Sequence, residues 1–137
     1  MKIGISGSMH FTEQMIAVRD QLRALGHEAF TTGMTDPYIG ASFAEKEALI
    51  VAQKMQEDAI REFWVLMQNA DALLVLNLDH RGVQNYIGGN AFLEMGFAHV
   101  LGQKIFLWNP IPDQPYNRSE IEAMRPVVIA GDIGRIE

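Results

Sequence analysis

Apolar residues recur along this chain in two rhythms, and the switches between them mark out its elements. Ile3 and Ile5 alternate within residues 2–6, which predicts a short strand. After Gly7-Ser8-Met9-His10, the residues Met15, Val18, Leu22 and Leu25 fall at helical spacing. Thr12 is placed to cap the start of that helix, Glu13 and Gln14 suit its first turn, and Gly26 stops it. Residues 27–31 predict a second strand, completing a βαβ unit and therefore a parallel pair. A loop rich in breakers follows over 32–42, with Gly33, Asp36-Pro37 and Gly40.

From residue 43 to about 69 the chain reads as one long helix, with Ala48, Ala52, Met55, Ala59, Phe63 and Leu66 as its apolar stripe. Trp64, Val65 and Met67 widen the apolar surface toward its end. That width has two readings, extra core or a contact with a second copy of the chain. Residues 71–77 are apolar on both faces, as central parallel strands are. A polar loop over 78–89 leads into Gly88-Gly89-Asn90 and an almost unbroken apolar helix that ends near Gly102. Residues 104–108 predict a fourth strand, broken by Asn109-Pro110-Ile111-Pro112. A short helix over 119–124 is expected, capped by Ser119 with Glu122 three residues on, and a last strand over 126–130.

Five short strands alternating with helices predict one α/β domain over 1–137. The expected architecture is a flavodoxin/Rossmann-like three-layer sandwich on a five-stranded, mainly parallel sheet. In such a sheet, ligands bind beyond the C-terminal ends of the strands, at the switch point. The segments expected at that edge are 7–12, 32–42, 77–90 and 109 onward.

One residue contradicts its surroundings. Glu94 is an acid in the middle of the apolar helix, and burying it is costly unless it is paired, hydrogen-bonded or protonated. It is a candidate nucleophile or general acid/base, the alternative being a structural carboxylate held by backbone or Asn donors. Gly88, Gly89 and Asn90 ahead of it form a helix start suited to an anion. Gly7 to Thr12, with Ser8 and His10, can cradle a phosphate in the same way, although it is neither Walker A nor GxGxxG; the alternative is an ordinary βα turn. Asp79, at the exit of the third strand, can bind hydroxyls or orient a substrate, or stand as a solvated loop acid. His10 and His80 lie in loops at this edge, where proton transfer is possible; His27 and His99 read as surface positions. Tyr38, Tyr86 and Trp108 are placed either to stack on a ring or to rim the core. No two histidines have metal-site spacing with an acid, so no bound metal is expected. A G-x-S-x-G elbow is absent, which disfavours a serine hydrolase.

Composition narrows the partners. A formal net charge of -6 argues against duplex nucleic acid, which needs a basic face. A small anion remains compatible, because local amides can bind it against the net charge. The chain has no cysteine, hence no disulfide, zinc-thiolate site or thiol nucleophile. No apolar run is long enough to span a bilayer and the start carries no signal-peptide pattern, so a cytoplasmic protein without membrane contact is expected.

With these residues laid out, the chain resembles the nucleoside 2-deoxyribosyltransferase-like superfamily, which includes the 2'-deoxynucleoside 5'-phosphate N-hydrolases. The likeness rests on residues 2–12, on the strand Ala70-Asp71-Ala72-Leu73-Leu74-Val75-Leu76, and on residues 90–107. There Glu94-Met95-Gly96-Phe97-Ala98 followed by Gly102-Gln103-Lys104 matches the family pattern Glu-x-Gly-x-Ala, Gly-Lys and a strand. The resemblance implies that Glu94 attacks the anomeric carbon of a nucleoside or nucleoside 5'-monophosphate, with water or a second base resolving a glycosyl-enzyme ester. Gly7, Ser8, His10, Gly88, Gly89 and Asn90 would hold phosphate or ribose, with Asp79 assisting. No metal or organic cofactor is implied, and a homo-oligomer is. Three positions depart from the family. Gly88 stands where an acid or hydroxyl is usual, His10 and Phe11 where a first-loop tyrosine is frequent, and Phe63, flanked by Asp58 and Glu62, near a usual aspartate. The second function considered is a non-catalytic nucleotide-binding sensor using the same pocket; a receiver-like domain fits poorly, because the first strand lacks an acidic cluster.

Overall fold

The computed structural model describes all residues, 1–137. Its elements run β1 (Lys2–Ser6), α1 (Thr12–Ala24), β2 (Glu28–Phe30), α2 (Phe43–Gln56), α3 (Ala59–Met67), β3 (Ala72–Val75), α4 (Gly89–Val100), β4 (Lys104–Leu107), α5 (Arg118–Ala123) and β5 (Val127–Val128). The five strands pair in the order β2-β1-β3-β4-β5, and every pair is parallel. This is the α/β sandwich that the alternating pattern predicts, with the flavodoxin-like strand order. The order reverses between β1 and β3, so the switch point lies where their C-terminal ends, Ser6 and Val75, sit side by side.

The alternation of strand side chains splits the core into two layers. Ile3, Ile5, Leu74, Leu76 and Phe106 face one side, against Met15, Val18 and Leu22 of α1 and Ile129 and Ile136 of the C-terminal segment. Burying each of those α1 side chains stabilises the fold by about 1.5–3 kcal/mol. Leu73, Val75, Ile105 and Leu107 face the other side, against Phe63 and Met67 of α3, Ala91, Met95 and Ala98 of α4, and Ile121 of α5. By the same alternation, Gly4 and Ser6 of β1 face this second layer. A side chain at Gly4 would meet the rings of Phe30 at 3.0 Å and Phe63 at 3.5 Å.

Four expectations are corrected. The helix expected over 43–69 is two helices, broken where Asp58 takes a left-handed φ of 50°. The Asp58 carboxylate caps the second helix by accepting from Arg61 N at 3.3 Å. Its stripe is also not a continuous core face. Phe63 is buried, but Ala48, Met55 and Leu66 are exposed, and the residues that α2 buries are Lys46 and Gln53. Ser119 does not cap α5, which begins at Arg118. Arg118 Nε binds Glu122 at 2.8 Å, so that carboxylate is held by a side chain and closes no capping box with Ser119. Thr12 is likewise inside α1 rather than ahead of it, its hydroxyl donating to Met9 O, while Ser8 accepts from His10 N at 3.2 Å. The capping box that does form is Ser42 with Glu45, at the start of α2.

Candidate functional site

At the C-terminal edge of the sheet lies a cavity of about 270 Å³. Each wall comes from a segment following a strand. Ser6, Gly7, Ser8 and His10 come from the end of β1 and its loop, and Thr32 and Tyr38 from beyond β2. His80, Arg81 and Tyr86 follow β3, and Gly88 to Ala91 open α4. The α2 residues Glu47 and Gln53 close the cavity from above.

Glu94 lies in this wall, partly exposed to the cavity. Its position follows from the helix register: Ala91, Met95 and Ala98 point into the second core layer, and Glu94 is set off toward the opening. Burial pushes its carboxyl up to about 8, the nearby Ser6 hydroxyl opposes this by favouring the charged form, and the Glu62 carboxylate adds to the rise. The Ser6 Oγ is buried and lacks a hydrogen-bond partner of normal geometry, so a small rotation is free to bring it onto Glu94. An unpartnered buried hydroxyl beside a raised carboxyl, both lining a cavity, marks this pair as the candidate centre of the site. Ser6 was missed as a site residue from the sequence; Glu62, noted there beside the usual aspartate position, stands outside the cavity lining and binds Thr32 and the Gly33 amide. The signal for Ser6 was its parity in β1, which puts it on the α4 side.

Of the other expected residues, Gly7, Ser8, His10, Gly88, Gly89 and Asn90 all line the cavity with Glu94. The amides at the start of α4 therefore open into it, as an anion or hydroxyl-rich ligand requires. Gly7 is confined: a side chain there would meet Leu76 O at 3.1 Å. Gly88 has a specific reason to be glycine, because the Tyr86 ring and hydroxyl stand 3.0–3.2 Å from where its Cβ would be. Tyr86 thus fills the space that an acid or hydroxyl side chain at position 88 would use. The structure does not bring Asp79 to the cavity. Its side chain is exposed and accepts from Asn85 N at 2.9 Å, holding the turn of the loop; it is a loop acid and not a partner of Glu94.

The aromatic candidates separate. Tyr38 and Tyr86 line the cavity; Trp108 lies against the other core layer, beside Gly131. Tyr38 is fully buried and donates to Gln53 Oε1 at 2.7 Å; burial, with the Glu57 charge adding, pushes its phenol up to about 12. Phe11 belongs to the α1 core, so of the pair at 10 and 11 it is His10 that lines the cavity.

The mouth carries the charged groups. His10 Nε2 lies 2.5 Å from Glu47 Oε1, and Arg81 pairs with the same oxygen. Lys46, next along α2, binds Glu13 at 2.7 Å and donates to His10 O at 3.2 Å. Two consecutive α2 residues thereby clamp the first loop. The His10 hydrogen bond, followed by that of Arg81, holds the Glu47 carboxyl below the usual range. Burial, followed by the charges of His10 and Arg81, lowers His80. His10 and His80 stand with ring centroids 4.8 Å apart, and His10 stacks on Phe43 at 4.3 Å. Histidine–acid spacing in the sequence does not register this cluster, because folding gathers His10, Glu47 and His80 from separate segments. No helix of the protein is long and apolar enough to cross a membrane. Comparison with known protein families, curated proteins and solved structures found no match to this chain.

Proposed function

We propose that this chain cleaves the N-glycosidic bond of a nucleoside or nucleoside 5'-monophosphate, with Glu94 as nucleophile. The observation that carries this reading is the placement of the Glu94 carboxyl in the wall of a cavity at the switch point, beside the open start of α4. The volume sits just below the range of about 300–1,000 Å³ usual for drug-sized ligands, which suits one nucleoside better than a dinucleotide. In the reaction, a Glu94 oxygen bonds to the anomeric carbon as the carbon–nitrogen bond breaks, and the base leaves with the electron pair and takes up a proton. Water then attacks the same carbon and releases Glu94, or a second base does so and the reaction is a transfer. Ser6 donates to the carboxylate and helps ionise it; Gly7, Ser8, His10, Gly88, Gly89 and Asn90 hold the sugar and any phosphate. Asp79 takes no part.

A second reading is a sensor that binds a nucleotide without cleaving it. It is favoured by the raised Glu94 carboxyl, which at neutral pH is mostly a neutral donor rather than a nucleophile. Incubation with a panel of ribo- and deoxyribonucleosides and their 5'-monophosphates, followed by chromatography of free base, separates the two. Release that vanishes in Glu94→Ala is expected; binding without release gives the sensor.

We also propose a homo-oligomer. Met55 of α2, Val65 of α3, and Leu93 and Val100 of α4 are exposed on helices packed one against the next. Sedimentation of the purified protein tests this, with a dimer or larger species expected.

A further inference from the structure

We propose that His10, Glu47 and His80 form a site for one divalent transition-metal ion of the zinc type at the mouth of the cavity. The three residues come from the loop after β1, from α2 and from the loop after β3, and they are separated by 37 and 33 residues in the chain. Their ligand atoms nevertheless all lie within 4.8 Å of one another, and His10 Nε2 and Glu47 Oε1 are already 2.5 Å apart. Donors held about 2.0–2.1 Å from one tetrahedral ion stand roughly 3.4 Å from each other, so shifts of about 1 Å complete the set. Two imidazoles and a carboxylate suit zinc and the later first-row ions, and do not suit magnesium or calcium, which take oxygen sets.

The surroundings are built to hold the imidazoles in place. The His10 ring stacks on Phe43 at 4.3 Å and meets His80 at 4.8 Å, the rings of Phe43 and His80 are 6.0 Å apart, and His80 meets Tyr86 at 5.2 Å and Phe11 edge-on at 5.6 Å. Lys46 fixes the backbone of His10 through its carbonyl. Three protein ligands leave at least one position open, and because all three residues line the cavity that position faces it. The competitor is Arg81, whose guanidinium occupies the same Glu47 oxygen and lies 5.4 Å from the centre of the Phe43 ring. Half-exposed, Arg81 is free to swing outward when an ion arrives.

Calorimetric titration of chelator-treated protein with zinc chloride, repeated with cobalt(II) to read its visible absorption, tests the site. One equivalent should bind, with nitrogen-ligand absorption from cobalt. His10→Ala and His80→Asn, shown folded by circular dichroism, should weaken binding by about 100-fold or more, removal of a ligand costing at least as much as loss of its supporting partner. Arg81→Ala should tighten it several-fold, and His99→Ala should leave it unchanged. The absence of saturable binding to the unaltered protein overturns the proposal, as does binding that persists in both His10→Ala and His80→Asn or disappears in His99→Ala. Free-base release measured in chelator is a separate readout, so failure of the metal site and failure of the glycosidase reading are told apart.

Discussion

Helices α1 and α2 differ in what they bury, and the difference separates the part of the molecule that holds the fold from the part that lines the candidate site. α1 buries Met15, Val18 and Leu22 against the sheet and leaves charged residues outside, as an amphipathic pattern demands. α2 inverts this. Its buried residues are Lys46 and Gln53, while Val51 and Met55 are 58% and 81% exposed. Gln53 lines the cavity together with Glu47, Ile50 and Val51, and Lys46 is held by Glu13 and the His10 carbonyl, so α2 covers the cavity rather than sealing a core. The exposed Met55 then needs another cover, which is the physical basis for the proposed contact with a second copy.

The sharpest break between the two regions is chemical. Glu94→Ala should reduce free-base release by at least about 10^4-fold, as loss of a covalent nucleophile does, while the protein remains folded by circular dichroism. In the sealed layer the effect should fall on stability instead. Leu22→Ala, at a fully buried position, should cost about 2–5 kcal/mol in urea denaturation and leave the turnover of folded protein unaltered. Gln53→Leu distinguishes the inner faces of the helices directly. It places an apolar group at a buried site, yet should destabilise by about 1–3 kcal/mol, because the Tyr38 hydroxyl loses its acceptor. A neutral or stabilising result would show that α2 faces ordinary core.

A smaller effect separates the regions by pH. With the Glu94 carboxyl at about 8, kcat/KM should rise about tenfold per pH unit up to that point and level off above it. Stability should move oppositely. The folded protein keeps this proton above the ordinary carboxyl value of 4.5 where the unfolded chain has lost it, so the stabilisation is complete below 4.5 and is lost as pH rises through 8. Glu94→Gln should flatten that component in denaturation curves taken across the window. The smallest expected change in stability belongs to Met55→Glu, within about 0.5 kcal/mol for an exposed position, yet it should lower the sedimenting mass if α2 meets a second copy.

The parallel sheet, α1 and α4 were legible because their hydrophobic periods match the backbone period over several turns or residues. The break at Asp58 was not, since no glycine or proline marks it and helical spacing runs through it. Gly88, Gly89, Asn90 and Glu94 were readable as a group because a helix start and its first turns are local. Asp79 was misassigned on its position at a strand exit, which says nothing of where its side chain points.

By itself, the order of residues determined the alternation of strands and helices, the edge at which the cavity opens, and the odd acid on an apolar helix. Each depends on contacts between neighbours a few positions apart. Only the tertiary structure decided that Ser6 would stand beside Glu94, that Tyr86 would take the space at Gly88, that α2 would turn Lys46 and Gln53 inward, and that His10, Glu47 and His80 would meet. Those meetings join segments tens of residues apart, and their partners are chosen by how the helices pack on the sheet, which no local spacing records.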